Sequence, residues 1–148
     1  MSRYKYSGRT ELSKALLRRK ADAQCLCNHK HWYGAMYLMG YTVECKLKVR
    51  LMEKYDVDNL KQLEDKLQIK LKKSVDAGTH SIEYLFFFIG ARNRLIGPQG
   101  DQTYLQAFHL CQRWRTEWRY RPEEGKENEC IQFFEAVEQL LRFIERNI

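Results

Sequence analysis

The residues with the widest chemical scope are four histidines, at positions 29, 31, 80 and 109 of the 148-residue chain. An imidazole can accept or donate a proton near neutral pH, so a histidine in a suitable site can act as a general acid or base. The sequence contains no P-loop, no dinucleotide-binding glycine motif and no H-E-x-x-H motif.

Four potential metal ligands, Cys25, Cys27, His29 and His31, occupy alternate positions. In an extended segment they would share one face and suit tetrahedral zinc, whereas on a helix only Cys25 and His29 are neighbours. The spacing differs from the C-x₂-C pattern of established zinc sites. We therefore expect a helix end with buried thiols and surface imidazoles, and neither a metal nor a cofactor.

A carboxylate and an amine, Glu44 and Lys48, lie four residues apart within a strongly apolar predicted helix. This order and spacing favour an ion pair along one helix face, and direct contact of both side chains with a ligand is the alternative. Cys45 falls in the apolar stripe of the same helix, so we interpret it as a small buried hydrophobic residue and not as a nucleophile.

Cations alternate with aromatic residues between positions 113 and 121. Arg113, Arg115 and Arg119 are candidates for gripping phosphates, and Tyr120 is a candidate for stacking on a base. The alternative is that the aromatic residues pack in the core while the arginines are solvated. The aromatic residues concerned are Trp114, Trp118 and Tyr120.

The formal net charge of +7 is uneven along the chain. Residues 1–55 carry 12 lysines and arginines against 4 carboxylates, residues 56–100 carry 7 against 6, and residues 101–148 carry 7 against 9. A domain with this asymmetry can present a basic side to an anionic partner, although a charged run is more often a solvated face. Arg19 lies on the apolar line of the first predicted helix, where it either extends to solvent or faces a site.

Apolar periodicity and a content of only two prolines predict an all-α domain over residues 1–148, an up-and-down bundle of four to five helices. The run Leu85–Ile89 fits a strand by periodicity alone, but a helix cap at Thr79 favours a helix. This run and the apolar stripe of the last helix are candidates for either a dimer surface or core. The predicted helices of the bundle are about 10–27, 32–54, 79–90, 102–114 and 126–146, and a further, highly charged helix is predicted at about 58–73.

Composition excludes several classes of protein. An apolar fraction of 44% with 30% charged residues is typical of a globular chain and not of a disordered one. The longest apolar run is far shorter than the roughly 20 residues of a membrane span, and the first 20 residues lack the apolar core of a secretory signal. An odd count of five cysteines favours free thiols, so we expect a cytoplasmic protein.

The predicted helix 32–48, WYGAMYLMGYTVECKLK, resembles the signature helix of the HEPN domain family. That helix reads roughly aromatic-x-x-A-x-Y-L-x-G-Y-x-V-E-x-x-L-K, and the Gly40-Tyr41, Val43-Glu44 and Leu47-Lys48 pairs are in register. Residues 79–82 resemble the T-H-D-L opening of the family's next helix, and residues 114–122 resemble the W-x-x-E-x-R-Y-x-P segment of one branch. Residues 58–73 form a charged helical insertion relative to this pattern.

The resemblance implies a helical bundle that often dimerises and that works on or beside RNA or nucleotides. Many members are metal-independent ribonucleases of toxin–antitoxin, CRISPR or phage-defence systems. Others are inactive binding modules paired with nucleotidyltransferase proteins. On the signature helix, Glu44 is expected to orient a partner across the bundle, and Arg119 is the candidate partner.

The nuclease members of the family carry an arginine followed five to seven positions later by a histidine, and no histidine of this chain follows that pattern. The segment Arg92–Arg94 begins like the motif, but glycine, proline and glutamine occupy positions 97–99. We therefore predict a non-catalytic module that binds RNA, nucleotide or a nucleotidyltransferase-type partner, as a homodimer. The predicted binding residues are Arg19, Glu44, Lys48, His80, Arg113, Arg115, Arg119 and Tyr120.

Two other functions remain open at this point. One is a divergent ribonuclease that uses His80 or His109 with an arginine brought close by folding. The other is a protein-binding adaptor or antitoxin whose charge serves solubility.

Overall fold

The structure is a computed structural model that describes residues 7–96 and 102–148. In these ranges the chain forms seven α-helices, one 3₁₀ helix and no β-strand. Residues 1–6, part of the basic N-terminal third, and positions 97–99 lie outside the described residues. The elements are α1 (Arg9–Asn28), α2 (Trp32–Lys54), α3 (Leu60–Leu71), α4 (Ile82–Ile89), α5 (Arg92–Ile96), α6 (Gln102–Cys111), the 3₁₀ helix (Thr116–Tyr120) and α7 (Glu127–Asn147).

The predicted all-α class is confirmed, but the described ranges contain seven helices where four to five were expected. One addition is α5, which begins two residues after Gly90, because the positive φ of 76° at Gly90 ends α4. The predicted helix 102–114 ends at Cys111, and the chain next becomes helical as the 3₁₀ helix. No helix of the described ranges combines the length and the apolar character that crossing a membrane requires.

The central helix is α2, which packs against α1, α4 and α7. Apolar residues form two stripes along α2 and are buried on both, as Met39 and Val43 on one stripe and Met52 on the other illustrate. Each fully buried leucine or methionine side chain stabilises the fold by about 1.5–3 kcal/mol. A helix buried on two sides is therefore the element on which the others are placed.

A tryptophan from the C-terminal third of the chain, Trp114, packs against the central helix α2. Trp114 is buried, and its indole Nε1 donates a hydrogen bond to the backbone carbonyl of Tyr37 at 3.0 Å. The indole lies directly against Gly40, where a side-chain Cβ would overlap its ring. The absence of a side chain at Gly40 thus allows Trp114 to pack closely on α2. This packing holds the segment between α6 and the 3₁₀ helix against α2.

The apolar stripe of α7 belongs to the core. Of the two interpretations of this stripe, dimer surface or core, the structure supports the second. The buried residues of α7 are Cys130, Phe133, Ala136, Val137, Leu140, Phe143 and Ile144.

The run Leu85–Ile89 is helical, as the cap argument predicted, but the cap lies two residues later than expected. Ser81, not Thr79, is the N-cap of α4, and its hydroxyl accepts a hydrogen bond from the Tyr84 amide at 3.3 Å. Thr79 instead accepts from the Ser81 amide at 3.1 Å. Both hydroxyls therefore shape the loop that carries His80.

The predicted charged insertion, residues 58–73, is largely α3. Its buried leucines, Leu60, Leu63 and Leu67, join the common core, and α3 packs on α2. The remaining positions of the helix are polar or charged, with the exception of the exposed Ile69 and the half-buried Leu71. The insertion is thus an integral part of the bundle with a solvated basic side.

Ion pairs between helices offset part of the predicted basic asymmetry. Lys20 of α1 pairs with Glu138 of α7 at 2.8 Å, and Lys46 and Arg50 of α2 both pair with Glu145. The acidic last helix therefore balances three cations of the first two helices. Positive charge that lacks such partners must be sought elsewhere on the surface.

Replacing Gly40 with alanine is expected to destabilise the fold by about 1–3 kcal/mol, because the added methyl group overlaps the Trp114 indole. Urea unfolding followed by circular dichroism measures the change. Gly34→Ala in the same helix is the matched control, since its Cβ meets only Leu26 Cδ1, at 3.4 Å, and alanine favours helix. Equal stability of the two variants would contradict the close packing of Trp114.

Candidate functional site

Five side chains form one face of α2, which we call the polar stripe: Tyr33, Tyr37, Tyr41, Glu44 and Lys48. Spacings of four, four, three and four residues place them along one side of the helix. The three tyrosines are partly exposed, whereas the last two residues are buried. The stripe therefore runs from the protein surface into the core.

Glu44 and Lys48 form a buried ion pair, with side chains 6% and 4% exposed and Lys48 Nζ 2.7 Å from Glu44 Oε1. Taking two charges out of water costs several kcal/mol each, and a short charge-assisted hydrogen bond offsets that cost. The pair predicted from the i, i+4 spacing is present. The second carboxylate oxygen, Glu44 Oε2, is buried and has no hydrogen-bond partner among the described residues. Burying an unpaired polar atom of this kind costs free energy.

The residue that reaches Glu44 from another element is His80. Its Nδ1 lies 3.0 Å from Glu44 Oε1, and the His80 side chain is 53% exposed. An ionised Glu44 accepts a hydrogen bond from Nδ1–H of His80, which leaves Nε2 as the ring nitrogen outside this contact. The expected partner Arg119 is not in contact with Glu44, so that prediction was wrong. The loop before α4 supplies the partner instead.

Two tyrosines of the polar stripe are hydrogen-bonded to each other above this pair. The hydroxyl groups of Tyr37 and Tyr41 are 3.0 Å apart, and the Tyr41 ring packs edge-on against both His80 and Trp114. Burial, followed by the hydrogen bond with Tyr37, raises the pKa of Tyr41 well above its usual value. Tyr41 therefore stays a neutral phenol that can donate a hydrogen bond.

Arg119 meets the polar stripe at Tyr37. Hydrogen bonds to Tyr37 and Tyr120 raise the pKa of the Arg119 guanidinium, which also lies 4.8 Å from the centre of the Tyr120 ring. Arg119 and Tyr37 line the same surface pocket, and the Tyr41 ring contacts His80. Arg119 and His80 therefore each neighbour a tyrosine of the polar stripe, although no local motif joins them.

Arg121 lies beside this arginine and stacks on two aromatic rings. Its guanidinium is 5.0 Å from the centre of the Tyr33 ring and 5.9 Å from that of Trp118, and it donates to the Tyr33 hydroxyl at 3.0 Å. We call Tyr33, Trp118, Arg119, Tyr120 and Arg121 the arginine–aromatic cluster. This cluster is the part of the surface where cations and rings are most closely interleaved among the described residues.

Two surface pockets share the wall formed by Tyr33, Trp118 and Arg121. One, of about 430 Å³, is also lined by Tyr37 and Arg119. The other, of about 410 Å³, also includes Arg113. Both volumes fall within the range of small-ligand sites in proteins.

The aromatic residues of the segment divide between the two interpretations that the sequence left open. Trp114 is in the core, and Trp118 is half-buried against Phe133. Tyr120 is 72% exposed and therefore does not pack in the core. Arg115 is turned to the end of α6, where it donates to the carbonyls of Gln112 and Trp114. It caps that helix and does not belong to the cluster.

Arg19 and His109 are not part of the polar stripe. Arg19 pairs with Asp22 on its own helix at 3.1 Å, and its Nε is buried without a partner among the described residues. Burial, with the negative charge of Glu44, raises the pKa of Cys45 to about 12, and Lys48 and Arg19 oppose the shift. Cys45 is thus an unreactive thiol. His109 is exposed on α6 beside Gln112.

The alternating cysteines and histidines do not converge. Cys25 and Cys27 are on α1, and Cys25 Sγ lies 3.9 Å from His29 Nδ1, the neighbour that helical spacing predicts. His31 instead faces Glu124, at 3.9 Å. In residues 7–96 and 102–148, no group of three or more cysteine, histidine or acidic side chains is arranged to hold a metal ion.

Tyr33, Tyr37 and Tyr41 were not among the predicted site residues, although the sequence contains a signal for them. They continue the spacing of Glu44 and Lys48 toward the start of α2, which forms a third stripe beside the two apolar ones. Arg121 was also left out of the predicted set. Its stacking on Tyr33, 88 residues away in sequence, has no local signal.

Comparisons with known proteins do not assign this chain to a family. No family model matches it, and neither the curated proteins nor the solved structures contain a significant match. The function must therefore be argued from the site itself.

Removing one partner of the buried pair is expected to be costly. Lys48→Met should lower the free energy of unfolding by about 3 kcal/mol, because it leaves the Glu44 carboxylate buried without its ammonium partner. The double variant Glu44→Leu with Lys48→Met should lose clearly less than the sum of the single losses. Urea unfolding of the wild type, the two single variants Lys48→Met and Glu44→Leu, and the double variant measures this coupling. Strictly additive losses would contradict a buried, directly coupled pair.

Proposed function

We propose that this chain is a HEPN-like helical module that binds RNA or a nucleotide through the arginine–aromatic cluster. The family assignment rests on the resemblance of α2 and of residues 114–122. The observation that carries the binding function is the stacking of Arg121 between Tyr33 and Trp118, next to Arg119 on Tyr120. Proteins bind single-stranded nucleic acid with this combination of cations and ring faces.

The charge balance of the surface supports this choice. Lys20 of α1 and two cations of α2, Lys46 and Arg50, are paired with carboxylates of α7. By contrast, Arg119 and Arg121 form no ion pair within the described residues. Uncompensated guanidinium groups are suited to phosphate oxygens, since they offer several donors in a fixed plane. An anionic ligand would therefore find its charge partner here.

Ring exposure also supports this choice. Tyr120 presents most of its side chain to solvent, and pockets of about 410 and 430 Å³ flank Trp118. A base can stack on an exposed ring while its phosphate approaches the adjacent arginine.

The same family resemblance is the basis for proposing a homodimer, a nucleotidyltransferase-type partner and a toxin–antitoxin or phage-defence setting.

Single-stranded RNA of mixed sequence is expected to bind the chain, and Arg121→Ala is expected to weaken binding by about 1–3 kcal/mol. Fluorescence anisotropy across a salt series measures both affinity and its salt dependence. Loss of one phosphate contact should reduce the salt slope by about one. Arg142→Ala, an exposed arginine on α7 outside the cluster, is the matched control. Equal binding by both variants, or no binding at low salt, would exclude this function.

A second candidate function, RNA cleavage without metal, is favoured by the geometry of His80. A buried carboxylate holds its Nδ1 at 3.0 Å, and the side chain is half exposed, so Nε2 can accept a proton from a ribose 2′-hydroxyl. Arg119, which lines a surface pocket together with Tyr37, would carry the charge that the phosphate requires. This arrangement would replace the missing local arginine–histidine motif.

Cleavage is tested with varied RNAs in the presence of a metal chelator. Under this candidate function, His80→Ala abolishes cleavage, and Glu44→Gln lowers it because the imidazole loses its charged partner. His109→Ala is the control and should retain full activity, since His109 is outside the site. Absence of cleavage by the wild-type chain on every RNA tested would eliminate the candidate.

A further inference from the structure

Two cysteines occupy corresponding positions on the first and the last helix of the chain. Cys27 is in the last turn of α1 and is partly buried, whereas Cys130 is near the start of α7 and is fully buried. Both are free thiols, and both pack with the common core. The proposed function uses neither of them.

Polar contacts on either side of the two cysteines define how α1 runs beside α7. Lys20 pairs with Glu138 at 2.8 Å, and after the end of α1 the His31 side chain lies 3.9 Å from that of Glu124. The amide of Tyr33 also donates a hydrogen bond to the Glu124 carbonyl at 3.1 Å. Residue numbers rise along α1 while they fall along the opposite segment, so the two helices run antiparallel here.

The two cysteines lie opposite each other in this register. Cys27 follows Lys20 by seven residues and Cys130 precedes Glu138 by eight, so each cysteine is about two helical turns from the ion pair, on the same side of its helix. Burial, followed by the charge and the hydrogen bond of Cys27, raises the pKa of the Cys130 thiol to about 12. Thiols that face each other from neighbouring helices are suited to a disulfide.

We propose that Cys27 and Cys130 form a reversible disulfide that fastens the end of α1 to the start of α7. Of the 20 residues of α1, all of which the structure describes, Ala23 alone is buried, so a covalent link would add to a small buried surface. The disulfide would close a loop of about a hundred residues, and closing a long loop restricts mainly the unfolded chain. In a reducing compartment such a link is transient and responds to oxidants. The inference goes beyond the proposed function and does not depend on RNA binding.

The oxidant is a low-molecular-weight disulfide such as oxidised glutathione. The thiolate of Cys27, the more exposed cysteine, attacks one sulfur of the oxidant, whose S–S bond breaks and releases one thiolate. The thiolate of Cys130 then attacks the Cys27 sulfur and releases the second. Two electrons pass from the cysteine pair to the oxidant, and the two thiol protons end on the released thiolates. Because Cys130 holds its proton strongly, the second step limits the rate.

Oxidised glutathione is the probe, and the full chain with Cys25→Ser is the parent protein, because Cys25 is an exposed competing thiol. Mass spectrometry after alkylation and proteolysis is expected to find the peptides of Cys27 and Cys130 joined, and dithiothreitol should separate them. The rate of linkage should rise about tenfold for each pH unit above neutrality, as the thiolate fraction of Cys130 does. Absence of the linkage in excess oxidised glutathione, or a predominant link to Cys45 or Cys111, would overturn the proposal.

Two variants of the parent separate the steps. Cys130→Ser should stop at the mixed disulfide between Cys27 and glutathione, because no second thiol follows. Cys27→Ser, a change at a partly exposed position, should form neither the mixed nor the internal disulfide. Circular dichroism establishes that each variant is folded. Attachment of glutathione to Cys130 in Cys27→Ser as fast as the parent forms its link would overturn the assigned order of attack.

Urea unfolding tests whether the link fastens the fold. Oxidation should raise the midpoint of the parent by about 1 M or more, because a disulfide across a long loop disfavours the unfolded chain. Cys27→Ser treated with the same oxidant is the matched control and should keep its midpoint. An equal midpoint for the linked and the reduced parent would overturn the proposal. None of these measurements uses RNA, so their outcome is separate from that at the arginine–aromatic cluster.

Discussion

A carboxylate and an ammonium group inside the bundle set the strongest constraint on this fold. The Glu44–Lys48 pair lies on the helix that contacts most of the other elements, and each charge costs several kcal/mol to bury. One hydrogen bond of 2.7 Å offsets part of this cost, and His80 adds a second contact to the same oxygen. The contact of His80 with Glu44 and the Ser81 cap of α4 together hold the loop before α4 against α2. An ion pair that could have been merely structural thus orients an imidazole at the surface.

The second constraint is the close approach of Trp114 to Gly40. A buried indole that donates to the Tyr37 carbonyl holds the chain after α6 against α2. This contact places the 3₁₀ helix beside the tyrosines of the polar stripe, so that Arg119 reaches Tyr37 and Arg121 reaches Tyr33. A tightly packed glycine–tryptophan contact therefore positions exposed arginines, and in this way a site can be precise although its cations are on the surface.

Helical periodicity in the sequence predicted the structural features that depend on residues three and four positions apart. The bounds of α2 and the Glu44–Lys48 pair follow from helical periodicity, since residues three and four apart share a face. The pairing of His80 with Glu44 spans 36 residues and depends on how α4 packs on α2, which periodicity does not specify. The cap of α4 was misplaced because Thr79 and Ser81 both carry a hydroxyl, and only the path of the chain decides between them.

Charge shows most clearly how packing changes what a sequence implies. The basic N-terminal third suggested one anionic partner, yet α7 neutralises part of it through Glu138 and Glu145. Arg119 and Arg121 are among the cations that form no ion pair within the described residues. Their guanidinium groups lie over aromatic rings, and this combination suits phosphates and bases. The place where an anion can bind therefore depends on which cations the fold leaves without carboxylate partners, and not on the net charge.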